Sequence, residues 1–246
     1  MYGRPNRSGP RRSTPRPRSG PQAVGGYARS VTEVKICGVT RAEDAEAAVE
    51  LGAWALGMIF WPASARACEL DAAEEIGLAL KRSVELAGVF VNAPLDEVAA
   101  TADRCSLTLL QLHGDEGPMY CREAARRTGC RVIKATRVRA AASVEGLRAF
   151  HTDYHLLDAH VRGSRGGTGE TFNWQLARRH HGPVAPLVLS GGLTPDNVGE
   201  AIATVAPHAV DVASGTEAAP GVKDPAKLAA FFGAVQAADP PPVAAA

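Results

Sequence analysis

The sequence predicts one α/β domain, a (β/α)8 or TIM barrel, with a tail at each end. Three observations carry that expectation. Eight short β-rich runs alternate with eight longer alanine-rich helical patterns over roughly 205 residues, the length of a small barrel of eight units. The β-rich runs are almost continuously apolar, as parallel strands covered on both faces must be. The residues able to do chemistry stand at the C-terminal ends of those runs, where a barrel opens to substrate.

In chain order, the first strand spans 33–37 and is broken by Gly38. Thr40 is placed to N-cap a helix over 42–51, with Glu43 in position for a capping box. The second strand covers 54–60, and Asp71 is placed to cap a helix reaching Arg82. A third strand lies within 84–91, followed by a helix over 95–104 with Pro94 at its start. A fourth strand at 107–112 leads to a helix over 118–128. A fifth at 131–135 leads to a shorter helix over 144–150. The sixth, seventh and eighth strands fall at 154–157, 186–189 and 209–212, with helices over 173–180, 195–204 and 225–235. An open doubly wound sheet is the alternative. It favours a glycine-rich dinucleotide loop after the first strand, and no GxGxxG stands there.

Composition limits the function classes. The chain has 246 residues, 46% of them apolar, enough for a large core. Its 27 basic and 26 acidic residues nearly cancel, but residues 1–32 hold seven arginines and no acid. The body is therefore mildly acidic, which argues against a nucleic-acid-binding face. Residues 1–30 are Arg, Pro, Ser and Gly with little to bury and read as a disordered basic tail. Residues 31–236 read as the barrel domain, and 237–246 as an Ala/Pro tail. An extended start, a transit peptide or a basic contact arm would each account for the first tail. Five cysteines, with no CxxC and no Cys/His metal spacing, fit free thiols in a reducing cytoplasmic setting. No apolar run is long enough to span a membrane, and no secretory h-region follows the N-terminal arginines.

The strand ends supply the candidate site. Cys37 closes the first strand; it is either inert packing or, beside cations, a thiolate base. Lys35 points the same way by strand alternation and is either a helper or a core charge needing a partner. Arg66, in the loop after the second strand, is a candidate clamp for a carboxylate or phosphate. His113, after the fourth, reads equally well as an acid/base or as a hydrogen-bonded wall residue. Asp158 closes the sixth strand some fifteen residues before any helix it could cap, then comes a cationic glycine loop, Arg162 to Gly169. The seventh strand ends in Ser190-Gly191-Gly192 and the eighth runs through Asp211 to Ser214-Gly215-Thr216. Glycines after strands seven and eight free backbone N–H groups to converge on a phosphate. A thiol on strand one and a carboxyl on strand six, on opposite sides of the ring, suit moving a proton off one atom and onto another. The expected ligand is a small phosphosugar.

These pieces resemble the phosphoribosylanthranilate isomerase family over residues 33–232. The resemblance rests on the Lys35-Ile-Cys-Gly-Val-Thr40 run, Gly57-Met-Ile-Phe60 with Ser64-Ala-Arg66, and Gly88-Val-Phe-Val-Asn92. It continues through Leu110-Gln-Leu-His-Gly114, Asp158 with Gly166-Gly-Thr-Gly169, Ser190-Gly-Gly-Leu193, and Asp211 with Ser214-Gly215 and Gly221-Val-Lys-Asp224. Asn173 and Ala213 depart from the family pattern without touching the acid or the base. The resemblance implies a cofactor-free, metal-free Amadori rearrangement in tryptophan biosynthesis. It makes Asp158 the general acid and Cys37 the general base, gives Arg66 the anthranilate carboxylate, and gives the phosphate to Gly191, Gly192, Ser214 and Gly215, with Gly167 and Thr168 contributing. His113 and Asp211 are further expected substrate contacts, and the enzyme is expected as a monomer or homodimer.

Three rivals stand beside this reading. A related sugar-phosphate isomerase using two aspartates would need an acid where Cys37 stands. A Schiff-base aldolase would use Lys35 or Lys134. A non-catalytic binding protein working through its arginine tail is the rival from another class.

Overall fold

In the computed structural model, residues 31–138, 140–158, 174–180 and 185–239 are described. Eight strands close into one parallel barrel in sequence order: β1 (Glu33–Cys37), β2 (Ala55–Ile59), β3 (Glu85–Phe90), β4 (Leu109–Leu112), β5 (Arg131–Arg137), β6 (Tyr154–Asp158), β7 (Leu187–Ser190) and β8 (Ala209–Val212), with β8 pairing back onto β1. Outside them lie α1 (Ala42–Glu50), α2 (Leu70–Leu80), α3 (Leu95–Arg104), α4 (Pro118–Thr128), α5 (Ala141–Gly146), α6 (Trp174–Ala177), α7 (Val198–Val205) and α8 (Pro225–Ala238). The expected barrel is therefore the observed one.

Strand alternation splits the apolar residues into two layers. Ile36, Leu56, Leu110, Leu157, Leu189 and Val210 face outward and pack under the helices. Ala55, Ala87, Leu109, Ile133, Leu156, Val188 and Ala209 fill the interior. The small residues on β2, β3 and β8 leave room for one long interior side chain, Lys35, which is fully buried. Gly57 enforces that room: a Cβ there would lie 2.9 Å from both Lys35 Nζ and Cys37 Sγ. At the floor of the barrel Trp54, Tyr154 and His208 pack ring against ring, and Arg131 lies over Tyr154. The chain enters at Thr32 and leaves at Asp239, and the two are hydrogen-bonded through the Thr32 N–H (2.9 Å) and hydroxyl (2.8 Å).

Several local expectations are corrected. Thr40 does not cap α1; Arg41 is the N-cap residue and makes no side-chain cap, while the Thr40 hydroxyl donates to Gly221 O at 2.6 Å. Asp71 lies inside the first turn of α2 and pairs with Arg104. Helix α7 starts at Val198 because Asn197 first builds a turn, accepting from Thr194 N–H and donating to Gly192 O. Helix α8 runs to Ala238, two residues into the segment expected as a tail, because Phe231, Phe232 and Val235 anchor its last turns in the core. An antiparallel hairpin between β8 and α8 was not anticipated: β9 (Glu217–Ala219) and β10 (Val222–Lys223), turning at Pro220-Gly221.

Candidate active site

The mouth of the barrel holds a cavity of about 430 Å³ lined by Cys37, Arg66, His113, Asp158, Asp211, Gly191, Gly192 and Ser214 among others. Eight of the residues singled out in the sequence thus meet in one place. Gly215 stands just behind it, and Gly167 and Thr168 lie outside the described residues. A second cavity of about 660 Å³ opens over β3 to β5, shares His113, and is walled by Asn92, Lys134 and Arg137.

Interior register places the chemistry in a row. Asp158 on β6 pairs with Ser190 on β7, Ser190 with Asp211 on β8, and Asp211 with Lys35 on β1. Cys37 is one interior position above Lys35. Asp158 and Cys37 are thus three strands apart along the shorter arc, with the two glycine loops between them, rather than diametrically opposed.

Lys35 finds its partner in Asp211, Nζ to Oδ1 at 2.6 Å, and the Ser190 hydroxyl donates to the other Asp211 oxygen at 2.9 Å. Burial disfavours the Lys35 ammonium, but Asp211 and Cys37 outweigh it and hold its pKa above that of an ordinary lysine. Burial likewise pushes the Cys37 thiol up; Lys35, and Lys223 behind it, pull the other way without cancelling the rise. The thiol is therefore neutral at rest, with one ammonium beside it ready to meet a thiolate.

On the other side, the Gln111 amide donates to His113 Nδ1 at 3.0 Å. His113 Nε2 lies 3.4 Å from Asp158 Oδ2. Asp158 itself is partly open to the cavity. The loops after β7 and β8 lie against each other: a Cβ on Gly215 would fall 2.0 Å from Leu193 O, so glycine alone fits. Gly191 and Gly192 take φ of +99° and +65°, conformations that favour glycine.

Arg66 is not a free clamp. Its Nε lies 2.8 and 3.0 Å from the two Glu217 oxygens, and Nη2 donates to Oε2 at 2.7 Å. Glu217 in turn accepts from Lys223 Nζ at 3.2 Å. Glu217 was not picked out from the sequence, though the Pro-Gly turn after it is a hairpin signal. Among the described residues no group of three or more His, Cys, Asp or Glu is placed to hold a metal ion. The five cysteines are free and buried. Among the described residues no helix is long and apolar enough to cross a membrane.

A protein-family model described as N-(5'-phosphoribosyl)anthranilate (PRA) isomerase matches residues 34–234. The chain is 50% identical over 198 residues to the N-(5'-phosphoribosyl)anthranilate isomerase of Citrifermentans bemidjiense, covering 80% of this chain and 94% of that one. It is also similar to the crystal structure of the phosphoribosyl anthranilate isomerase of Thermotoga maritima, with a TM-score of 0.76 at 40% identity, over 84% of this chain and 99% of the other. A further crystal structure, of a phosphoribosyl anthranilate isomerase holding reduced 1-(o-carboxyphenylamino)-1-deoxyribulose 5-phosphate, aligns with a TM-score of 0.72 at 38% identity, over 84% of this chain and 99% of that one.

Proposed function

The chain belongs to the phosphoribosylanthranilate isomerase family, and from that premise we propose that Asp158 and Cys37 are the acid and base of its aldose–ketose isomerisation in tryptophan biosynthesis. The substrate is N-(5-phosphoribosyl)anthranilate and the product 1-(2-carboxyphenylamino)-1-deoxyribulose 5-phosphate. Asp158 gives a proton to the ribose ring oxygen as the substrate nitrogen pushes in to form a Schiff base. His113 Nε2, 3.4 Å away, then faces the carboxylate left behind. Cys37, as the thiolate that Lys35 supports, takes the proton from sugar carbon 2 and becomes the thiol. The resulting enolamine tautomerises to the ketone. The substrate's own nitrogen is the electron sink, so the reading needs no cofactor.

Arg66 receives the anthranilate carboxylate. The loops at Gly191-Gly192 and Ser214-Gly215 take the phosphate, with Gly167 and Thr168 as further contacts, and Asp211 acts through Lys35. The observation that carries this reading is that Asp158, Cys37 and both glycine loops open into the same cavity. The test is a fluorescence assay of phosphoribosylanthranilate consumption by wild type, Asp158→Asn and Cys37→Ser. Loss of a general acid or base is expected to cost about 10²- to 10⁴-fold in rate. A silent wild type, or a Cys37→Ser variant of full activity, overturns the assignment.

A further inference from the structure

The β9–β10 hairpin buries two opposite charges that the proposed chemistry does not use. Glu217 is 6% exposed and Lys223 2%. Such groups are costly to bury, so what they hold is informative. All three Lys223 ammonium donors are engaged: Cys37 O at 2.6 Å, Ala213 O at 3.2 Å and Glu217 Oε1 at 3.2 Å. One cation thus ties the end of β1, which carries the thiol, to the end of β8, where the Ser214-Gly215 loop begins, and to the hairpin itself. Glu217 Oε1 also accepts from Gly221 N–H at 3.3 Å, and Lys227 holds the Glu217 carbonyl at 2.7 Å. The hairpin is fastened to the β1–α1 loop through Thr40 to Gly221 O, and to α1 through Asp44, which accepts from Lys223 N–H at 3.0 Å.

The consequence for Arg66 is geometric. A guanidinium presents a side edge, through Nε and one terminal nitrogen, and an end edge, through both terminal nitrogens. Glu217 occupies the side edge. The end edge is the one left to receive a planar carboxylate in two-point fashion, and Arg66 lines the cavity. Its aliphatic stem is confined too: a Cβ on Gly38 would lie 2.8 Å from Arg66 Cδ. We infer that Glu217, anchored by Lys223, is a positioning residue that fixes the Arg66 guanidinium so that its end edge reads the substrate carboxylate, making the β9–β10 hairpin a specificity element of the site.

The inference rests on the assignment of Arg66 to that carboxylate, and the experiment separates the two. Two stable ligands are titrated by calorimetry into the full chain: the reduced product, and its phenylamino counterpart lacking the carboxyl group. Arg66→Ala is expected to lose about 10- to 100-fold in affinity for the first and little for the second, the scale of a hydrogen-bonded charge. Glu217→Ala is expected to lose about tenfold for the carboxylated ligand alone. In the Arg66→Ala background it is expected to add nothing further. Glu217→Gln keeps an acceptor for Nε and is expected to fall between wild type and Glu217→Ala, which retains a test if the alanine variant is unstable. If Arg66→Ala weakens both ligands equally, the carboxylate assignment fails. If Arg66→Ala discriminates between them but the Glu217 variants weaken both equally, Glu217 is a structural residue only and the inference falls.

Discussion

Replacing Lys35 by methionine separates what the buried ammonium does for the fold from what it does for the thiol. Methionine nearly matches the lysine stem in volume, so little cavity opens. What changes is charge. Lys35 and Asp211 meet at 2.6 Å with side chains 0% and 6% exposed, and without the ammonium Asp211 keeps only the Ser190 hydroxyl as donor. Removing one partner of a buried pair costs about 3–5 kcal/mol because the other charge is stranded. For a domain of this size each kcal/mol moves the melting temperature by about 2–4 °C, so the Lys35→Met variant is expected to melt about 6–20 °C lower. Adding Asp211→Asn removes the stranded charge and keeps an acceptor for Ser190, so the double variant regains most of that loss. The thiol behaves differently. Lys35 is the largest influence holding the buried Cys37 thiol down, and its removal raises the thiol pKa in both variants. Alkylation of Cys37 by iodoacetamide, followed by peptide mass spectrometry across pH, reads this directly. Stability returns in the double variant while alkylation at pH 8 stays slow. A single variant within about 1 kcal/mol of wild type, a double variant no more stable than the single, or unchanged Cys37 alkylation in either would refute the reasoning.

Two more outcomes follow from the same geometry. Because burial holds the Cys37 thiol above its ordinary range and the base must be deprotonated, kcat/KM is expected to rise with pH along an alkaline limb set by that thiol. In Cys37→Asp the limb moves to acidic pH, since a carboxylate loses its proton at far lower pH; a pH–rate profile with an unmoved limb contradicts the role of Cys37. Gly57→Ala places a methyl group 2.9 Å from both Lys35 Nζ and Cys37 Sγ. It is expected to cost about 1–3 kcal/mol in urea unfolding and to lower kcat more than it raises KM, and a neutral substitution would show that the interior has slack.

The parts of the fold that could be read from sequence are those set by local pattern. Strands β1 and β8 and helices α3 and α4 have the expected bounds because apolar runs mark the strands and Pro or Gly punctuates at least one side of each: Gly38 after β1, Pro207 near the start of β8, Pro94 before α3, and Gly117 and Gly129 around α4. Thr40 looks like a helix cap by spacing alone, but its hydroxyl is claimed by Gly221, 181 residues away. The same distance in sequence hid Glu217, whose partner Arg66 lies 151 residues earlier. Lys35 showed that it needed a partner, and strand alternation gave its direction. Only closure of the barrel, β8 onto β1, shows that the partner is Asp211. The candidate site was legible because barrel strands place their C-terminal residues at one mouth. The support beneath it was not, since it depends on pairings between the first and last thirds of the chain.

The hydrogen bonds between Thr32 and Asp239 matter for how this barrel can be rewired. The first strand begins and the last helix ends on the floor, the face remote from the mouth. A short linker could join the two ends there, and the chain could be reopened in another floor loop, giving a circular permutant with the eight-strand order preserved in space. A fusion partner or surface tether joined directly at Thr32 or Asp239 would likewise approach from beneath, leaving the mouth facing solution. The stitch is a natural seam: cutting and splicing along it leaves the eight mouth loops intact.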